Sequence, residues 1–275
     1  MDGITSPLSK TALATTLARE VESDRADSLF RDPYAALFTA AAPQAFTKDI
    51  RHRHELDGSG ANFFAMMAVR TRFNDDFLLD SSSDGCSQVV LLAAGLDARA
   101  FRLPWPPGTR LFELDLLEII AFKEEVLRES GAIPACERSV LAVDLLQDWT
   151  SHMTEAGFDS TETTAWLAEG LLRYLTADNV ARLLESVGEL SARGSRLCAN
   201  YIGRRDSVQM AQNEALPALA DFTSLVKGGL GDRTPDWLSQ HDWTVQTHDP
   251  PAIASSYGRE LTTPFGGAFL TAVRS

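Results

Sequence analysis

The sequence predicts a doubly wound α/β fold, an open and mostly parallel sheet with helices on both faces. Three observations predict it. From Gln88 onward, short apolar runs alternate with amphipathic helical stretches. The runs are continuously apolar, as in strands covered on both faces, and a parallel sheet joined by helices provides that cover. Residues 8–80, by contrast, show helical spacing and no strand-like run.

In chain order, Leu8, Leu13, Leu17 and Val21 recur at helical spacing, and Phe63, Met66, Met67, Val69, Phe73 and Phe77 do so between Ala61 and Leu79. The strand candidates are Val89–Ala93, Leu111–Leu114, Val140–Val143, Ala165–Ala168, Leu197–Tyr201 and Ala268–Val273, with the clearest intervening helices at Leu116–Glu129 and Asn179–Leu190. The alternation breaks over residues 203–240, which hold helical spacing from Met210 to Leu219 and then Lys227-Gly228-Gly229-Leu230-Gly231. A late insertion of this kind is either a lid over the ligand crevice or a surface excursion. The expected organisation is therefore a helical extension over residues 1–80 and an α/β domain over residues 81–275, with a cap near residues 203–240.

Bulk properties narrow the function. The 275 residues are 44 % hydrophobic, enough to bury one large core. Lysine and arginine number 25 against 38 aspartates and glutamates, a net charge of −13. Phosphate neutralisation supplies most nucleic-acid affinity, so nucleic acid is not an expected partner. Cys86, Cys136 and Cys198 lie far apart with no histidine at ligand spacing, which argues against a zinc site and a disulfide framework. No apolar run approaches the roughly 20 residues of a membrane helix. The N-terminus, Met1-Asp2-Gly3-Ile4-Thr5, lacks a basic region followed by an apolar one, so a cytoplasmic protein is expected.

In an open α/β sheet, ligands bind beyond the carboxyl ends of the strands. The first strand is followed there by Ala93-Ala94-Gly95-Leu96-Asp97-Ala98-Arg99, whose small residues let backbone approach a ligand closely. The run is neither G-x-G-x-x-G nor a phosphate-binding loop. Asp115 ends the second strand, 20 residues beyond Gly95, the spacing of a carboxylate that accepts bonds from the two hydroxyls of a ribose. It also stands where aspartate is a favoured helix N-cap, and position alone leaves both roles open. Asp144-Leu145 closes the third strand and Glu169-Gly170-Leu171-Leu172-Arg173-Tyr174 the fourth. Three acids thus close three successive strands on the ligand-binding edge.

Leu91–Leu103, Phe112-Glu113-Leu114-Asp115 and Ala168–Leu175 together resemble the leucine carboxyl methyltransferase family. They are more similar still to its bacterial branch of polyketide and small-molecule O-methyltransferases. Asp27–Tyr34 and Val69–Asp76 resemble that branch too, so the likeness runs from about Ala18 to Tyr201. It implies a seven-stranded Rossmann-like methyltransferase sheet, S-adenosyl-L-methionine as cofactor, and a small-molecule acceptor from secondary metabolism. It also implies roles for single residues. Arg70 would hold the cofactor's carboxylate, as a guanidinium fork suits that group. Ala93 and Gly95 would line the methionine moiety, Asp115 would take the ribose, Asp144 and Leu145 the adenine, and Glu169 the ammonium. Tyr201 would stand near the transferred methyl. Two positions depart from the family, which has glycine at Ala93 and threonine at Ala98. Without the resemblance, Arg70 reads as a surface arginine of a helix.

Methyl transfer from a sulfonium is a direct displacement, so alignment is the protein's main task. A carboxylate acceptor needs no general base, whereas a phenol or alcohol benefits from one. His52, His54, His241 and His248 are the candidates, with Arg51 and Arg53 as anchors for an anion, and solvent exposure is the competing explanation for each. Two other functions fit parts of the pattern. One is a binding or rearrangement protein that kept the fold and lost the transfer. The other is a nicotinamide oxidoreductase, against which the missing G-x-G-x-x-G argues.

Overall fold

The computed structural model describes residues 6–45, 59–202, 225–261 and 268–275. The helices are α1 (Pro7–Asp24), α2 (Ala35–Ala41), α3 (Ser59–Ser83), α4 (Arg99–Arg102), α5 (Leu117–Glu129), α6 (Thr150–Glu155), α7 (Ala177–Glu189), α8 (Thr234–Gln240) and α9 (Pro250–Ser256). The strands are β1 (Gln88–Leu92), β2 (Arg110–Asp115), β3 (Glu137–Ala142), β4 (Thr164–Ala168), β5 (Arg196–Tyr201), β6 (Trp243–His248) and β7 (Ala268–Arg274). They form one seven-stranded sheet in the order β3-β2-β1-β4-β5-β7-β6. The pairs among β1 to β5 are parallel, and β7 runs antiparallel to both β5 and β6. The chain starts at β1, winds outward to β3, then returns to wind out the other way from β4. The switch point between β1 and β4 opens the crevice.

Each face of the sheet has its own cover. On one side Trp166, Ala168, Leu197, Ala199, Leu270 and Ala272 pack under α7. That helix presents Val180, Leu183, Leu184 and Val187 at the i, i+3, i+4, i+7 spacing of a core-facing stripe. Full burial of each such side chain contributes roughly 1.5–3 kcal/mol. The Thr176 side chain starts the helix by accepting a bond from the Asn179 N–H at 3.3 Å. Truncating Leu184 to alanine in this layer removes packing that costs about 2–5 kcal/mol to lose. On the other side Val89, Leu91, Ala165, Leu167 and Cys198 pack against Leu78 of α3, with Phe73 and Phe77 beside them.

The six strand candidates match observed strands, and β6 is the one the apolar runs did not show. It pairs with a single neighbour at the sheet edge, and only Trp243 in it is fully buried. A half-exposed edge strand reads Trp-Thr-Val-Gln-Thr-His, with polar residues where a central strand would be apolar.

Helix α3 has a mixed buried face. Leu78 meets the strands, but the turns before it bury Arg70, Thr71, Asn74 and Asp75. Polar groups on the buried face of a helix over the carboxyl edge of a sheet mark that edge as built for something other than packing.

Candidate active site

The turn after β1 is the first wall. Leu92 is the last strand residue, and Ala93 and Gly95 take φ of 54° and 56°. Gly95 adopts this region freely, whereas Ala93 is strained there by its Cβ. The reversal aims the Gly95 N–H at Asp115 Oδ2, at 2.6 Å. Asp115 Oδ1 accepts from the Leu116 N–H at 2.7 Å. The carboxylate is thus fixed by two backbone donors, with lone pairs left for a ligand. It is not a helix cap: the N-cap of α5 is Leu116, which has no side-chain cap bond. Burial pushes the Asp115 pKa up, and the two backbone donors oppose the shift.

Asp144 follows β3 and is exposed. Its Oδ1 accepts the Leu146 N–H at 2.9 Å, and its carbonyl accepts from Gln147. The aspartate therefore shapes its own turn. Leu145 is half-buried against the core of the α7 side.

The second wall is a network of charged side chains from four segments of the chain. Glu169, just past β4, takes Arg70 Nε at 3.0 Å and Arg19 Nη2 at 3.3 Å on Oε1, and Arg99 Nη1 at 2.8 Å on Oε2. Arg99 also donates to Asp97 and, through Nε, to Asp75 at 2.6 Å. Asp75 in turn holds Arg102 through both carboxylate oxygens, at 2.6 and 2.7 Å. Arg99 is completely buried. Burial is the largest single influence on Glu169 and would raise its pKa. The cations of Arg99, Arg70 and Arg19 together outweigh it and hold the carboxyl well below the usual range. Arg70 is pulled down by burial first, against the attraction of Glu169.

Among the described residues, Arg70 is bonded through Nε alone. Its Nη groups lie beside Gly170, where a Cβ would come within 3.4 Å of Nη1. The surface reading of Arg70 is overturned: it is 7 % exposed, tethered at one nitrogen and open at the fork. Tyr201 ends β5 on the same edge, half-buried against the α7-side core.

The structure brings Ala93, Gly95, Asp115, Asp144, Leu145, Glu169, Arg70 and Tyr201 to one edge of the sheet, at the carboxyl ends of β1 to β5. The histidines divide. His241 precedes β6, at the opposite edge, with its ring stacked 3.7 Å over Trp237 and Nδ1 against the Trp237 carbonyl. His248 ends β6, half-buried, with Nε2 on Thr271 Oγ1 and its ring edge-on to Phe73. Arg51, His52, Arg53 and His54 lie outside the described residues, as do Met210–Leu219 and most of the expected cap.

Four participants escape a reading by strand ends. Arg19 sits on α1, and Asp75 on α3 looks like a charge on a solvated face. Arg173 is buried in the turn after β4. Asn200, 4 % exposed, has neither amide atom bonded among the described residues. Continuing the pairing Leu167↔Cys198 and Ala168↔Ala199 by one residue sets Asn200 beside Glu169. A polar residue inside an otherwise apolar strand was the available signal for Asn200. Nothing local marks the others.

A sheet of this order, with a carboxylate after β2 and a close backbone turn after β1, defines a doubly wound domain with a ligand crevice at the carboxyl ends of its strands. Solved structures share the fold. A Thermobifida fusca protein provisionally named a methyltransferase superposes with a TM-score of 0.56 at 15 % identity, over 87 % of this chain and 94 % of its own. The magnesium protoporphyrin IX methyltransferase of Synechocystis, solved with bound SAH, gives 0.51 at 12 % identity, over 89 % and 100 %. The family model described as leucine carboxyl methyltransferase matches residues 12–188, and the chain belongs to that family. A protein of Parafrankia sp. (strain EAN1pec), provisionally named an S-adenosyl-L-methionine-dependent methyltransferase, is 45 % identical over 97 % of this chain and 87 % of its own. A Streptomyces coelicolor protein with the same provisional name is 41 % identical over 92 % and 89 %. The cofactor is S-adenosyl-L-methionine, and the enzyme is a methyltransferase dependent on it. Among the described residues no helix is long and apolar enough to cross a membrane, and no group of His, Cys, Asp or Glu is placed to hold a metal ion.

Proposed function

We propose that the enzyme transfers the methyl group to an oxygen, carboxylate or hydroxyl, of a small organic molecule such as a polyketide or another secondary metabolite. The observation that carries the cofactor-binding part of this reading is the single tether on Arg70, and the oxygen acceptor follows from the family's carboxyl chemistry. Glu169 occupies Nε and leaves the two Nη groups, beside the Gly170 turn, without a hydrogen bond among the described residues. A planar fork with two free donors suits the carboxylate of the cofactor's amino-acid end. Asp115 would take the ribose hydroxyls, and Asp144 with Leu145 would flank the adenine. The cofactor supplies an electrophilic methyl on a sulfonium. With the carboxylate held by Arg70 and the ribose by Asp115, Tyr201 at the end of β5 would be the residue to hydrogen-bond an oxygen acceptor.

The residues then act by placement. Glu169 accepts from three arginines, and its remaining acceptor capacity would face the cofactor's ammonium. Alignment of acceptor oxygen and methyl can supply roughly 7–11 kcal/mol of the barrier. An ionised carboxylate requires no base. For a hydroxyl, the Tyr201 side chain would order the nucleophile rather than deprotonate it.

The test is to incubate the protein with methyl-deuterated cofactor and a panel of small carboxylic acids, phenols, amines and thiols, and to read the products by mass spectrometry. Labelled esters or aryl ethers are expected. Label on nitrogen or sulfur alone would overturn the reading. Tight cofactor binding with no label on any acceptor would favour a non-methylating role, to which the strained Ala93 turn would then belong.

A further inference from the structure

Among the described residues, Asn200 alone has two buried side-chain polar atoms without a hydrogen-bond partner, Oδ1 and Nδ2. It is 4 % exposed and follows Leu197, Cys198 and Ala199 in β5. An amide in that setting raises the free energy of the fold, because the hydrogen bonds it made to water are not replaced. A leucine has the same branching and carries no such penalty. The amide is therefore explained by a group that joins it at the carboxyl edge of the sheet.

The strand sets the direction of the side chain. Along β5, Leu197 and Ala199 lie in the core on the α7 side, with Tyr201 packed against it, and Cys198 lies in the core on the α3 side. Cys198 Sγ bonds Asn74 Oδ1 of α3 at 3.3 Å. Side chains alternate along a strand, so Asn200, two residues beyond Cys198, faces α3. Glu169 follows Leu167 by the same two residues on β4 and bonds Arg70 of α3. The strand register sets Asn200 beside Glu169 on one flank and pairs it with Phe269 of β7 on the other. Phe269 stacks on Phe73 of α3 with ring centroids 5.0 Å apart, which makes that flank apolar. Of the two flanks, only that of Glu169 is polar.

We infer that Asn200 is a cofactor-binding residue whose Oδ1 accepts from the ammonium of S-adenosyl-L-methionine, next to Glu169. This rests on the placement of the cofactor in the reading above and adds a residue to it. The ammonium brings three N–H donors. Glu169 already accepts from three arginines and offers it only the capacity that remains. A neutral amide oxygen beside that carboxylate supplies a second acceptor without burying another charge. Nδ2 is left to donate to the carboxylate on the same carbon, so one amide meets both groups of an α-amino acid.

The probes are S-adenosylhomocysteine and its deaminated analogue, in which hydrogen replaces the amino group, each titrated calorimetrically into wild type, Asn200→Leu and Asn200→Asp. The wild type should bind S-adenosylhomocysteine at least tenfold more tightly than the analogue. Asn200→Leu should weaken S-adenosylhomocysteine about tenfold more than it weakens the analogue, the scale of one hydrogen bond to a charged group. Asn200→Asp keeps an oxygen acceptor and should keep the preference. Asn200→Leu also removes two unsatisfied buried atoms, so the melting temperature of the ligand-free protein should not fall, which separates loss of the contact from loss of the fold. A wild type without the preference would overturn the inference, as would equal weakening of both ligands in Asn200→Leu. So would a lower melting temperature of ligand-free Asn200→Leu with the preference intact, since a buried water would then satisfy the amide. The readout is binding alone, so it stands apart from the oxygen reading. A preference that shrinks in Asn200→Leu, with no transfer to any oxygen, would support the role of Asn200 and overturn oxygen methylation. Labelled esters or ethers with a preference that survives Asn200→Leu would do the reverse.

Discussion

The two walls of the crevice are made by different means. Under β1 to β3, the chain presents backbone and one well-placed carboxylate: Gly95 N–H and Leu116 N–H hold Asp115, and Asp144 orders its own turn. Beyond β4, side chains do the work, with Arg19, Arg70 and Arg99 converging on Glu169 from α1, α3 and α4. The first wall is local in sequence and weakly charged. The second spans 150 residues between Arg19 and Glu169 and is a buried ion network. Local backbone geometry tolerates a change of side chain, whereas a buried network fails when one partner goes.

That contrast sets the largest expected effect. Glu169→Gln leaves three buried arginines around a neutral amide and should destabilise the fold by about 3–5 kcal/mol, the scale for stripping a buried charge of its partner. Thermal denaturation at neutral pH reads it. The pH dependence follows from the depressed folded-state pKa of Glu169. Its contribution is complete above the ordinary glutamate range and is lost as pH falls through the lower folded value. The gap between wild type and Glu169→Gln should therefore stay wide from neutral pH down to the usual carboxylate range and narrow only below it. Equal melting temperatures at pH 7 would make the two walls equivalent after all.

The first wall should respond in the opposite direction to the right change. Ala93 carries a Cβ in the left-handed region, at φ 54°. Relief of that strain by Ala93→Gly is expected to exceed the added entropy of the unfolded chain and to raise stability by about 1 kcal/mol. Denaturant unfolding with an unchanged slope checks it. A glycine variant less stable than the wild type would mean that the methyl is packed to advantage, not strained.

The same division explains what was legible in the sequence. Asp115 could be found by counting 20 residues from Gly95, because the β-turn-α-β connection fixes that interval. Six strands were legible as apolar runs, the edge strand β3 among them, and β6 was not, since most of its residues are half-buried or exposed and it reads as polar alternation. Glu169 was legible as an acid at a strand end. The rest of its network was not, because Arg19 and Arg99, which bond it, and Asp75, which bonds Arg99, have ordinary helical neighbours, and only the packing of α1 and α3 onto the sheet edge shows that they are buried. The capping alternative for Asp115 fell on a one-residue offset: the helix starts at Leu117, so Leu116 is the cap. The surface alternative for Arg70 fell on a rotation of α3 that spacing alone does not set, because Arg70, Asn74 and Leu78 form one stripe whose first two members are polar.

The central claim is that both walls hold one cofactor molecule, Arg70 its carboxylate and Asp115 its ribose. Calorimetric titration of S-adenosylhomocysteine into wild type, Arg70→Lys, Asp115→Ala and the double variant tests it most directly. Each single change should weaken binding by about 1–3 kcal/mol in a protein that still melts cooperatively, the scale for a lost charged or buried hydrogen bond. The two contacts fall on separate groups of the ligand, the amino-acid carboxylate and the ribose, so the losses should add to within about 0.5 kcal/mol. Unchanged affinity in either single variant, with the fold intact, would contradict the claim.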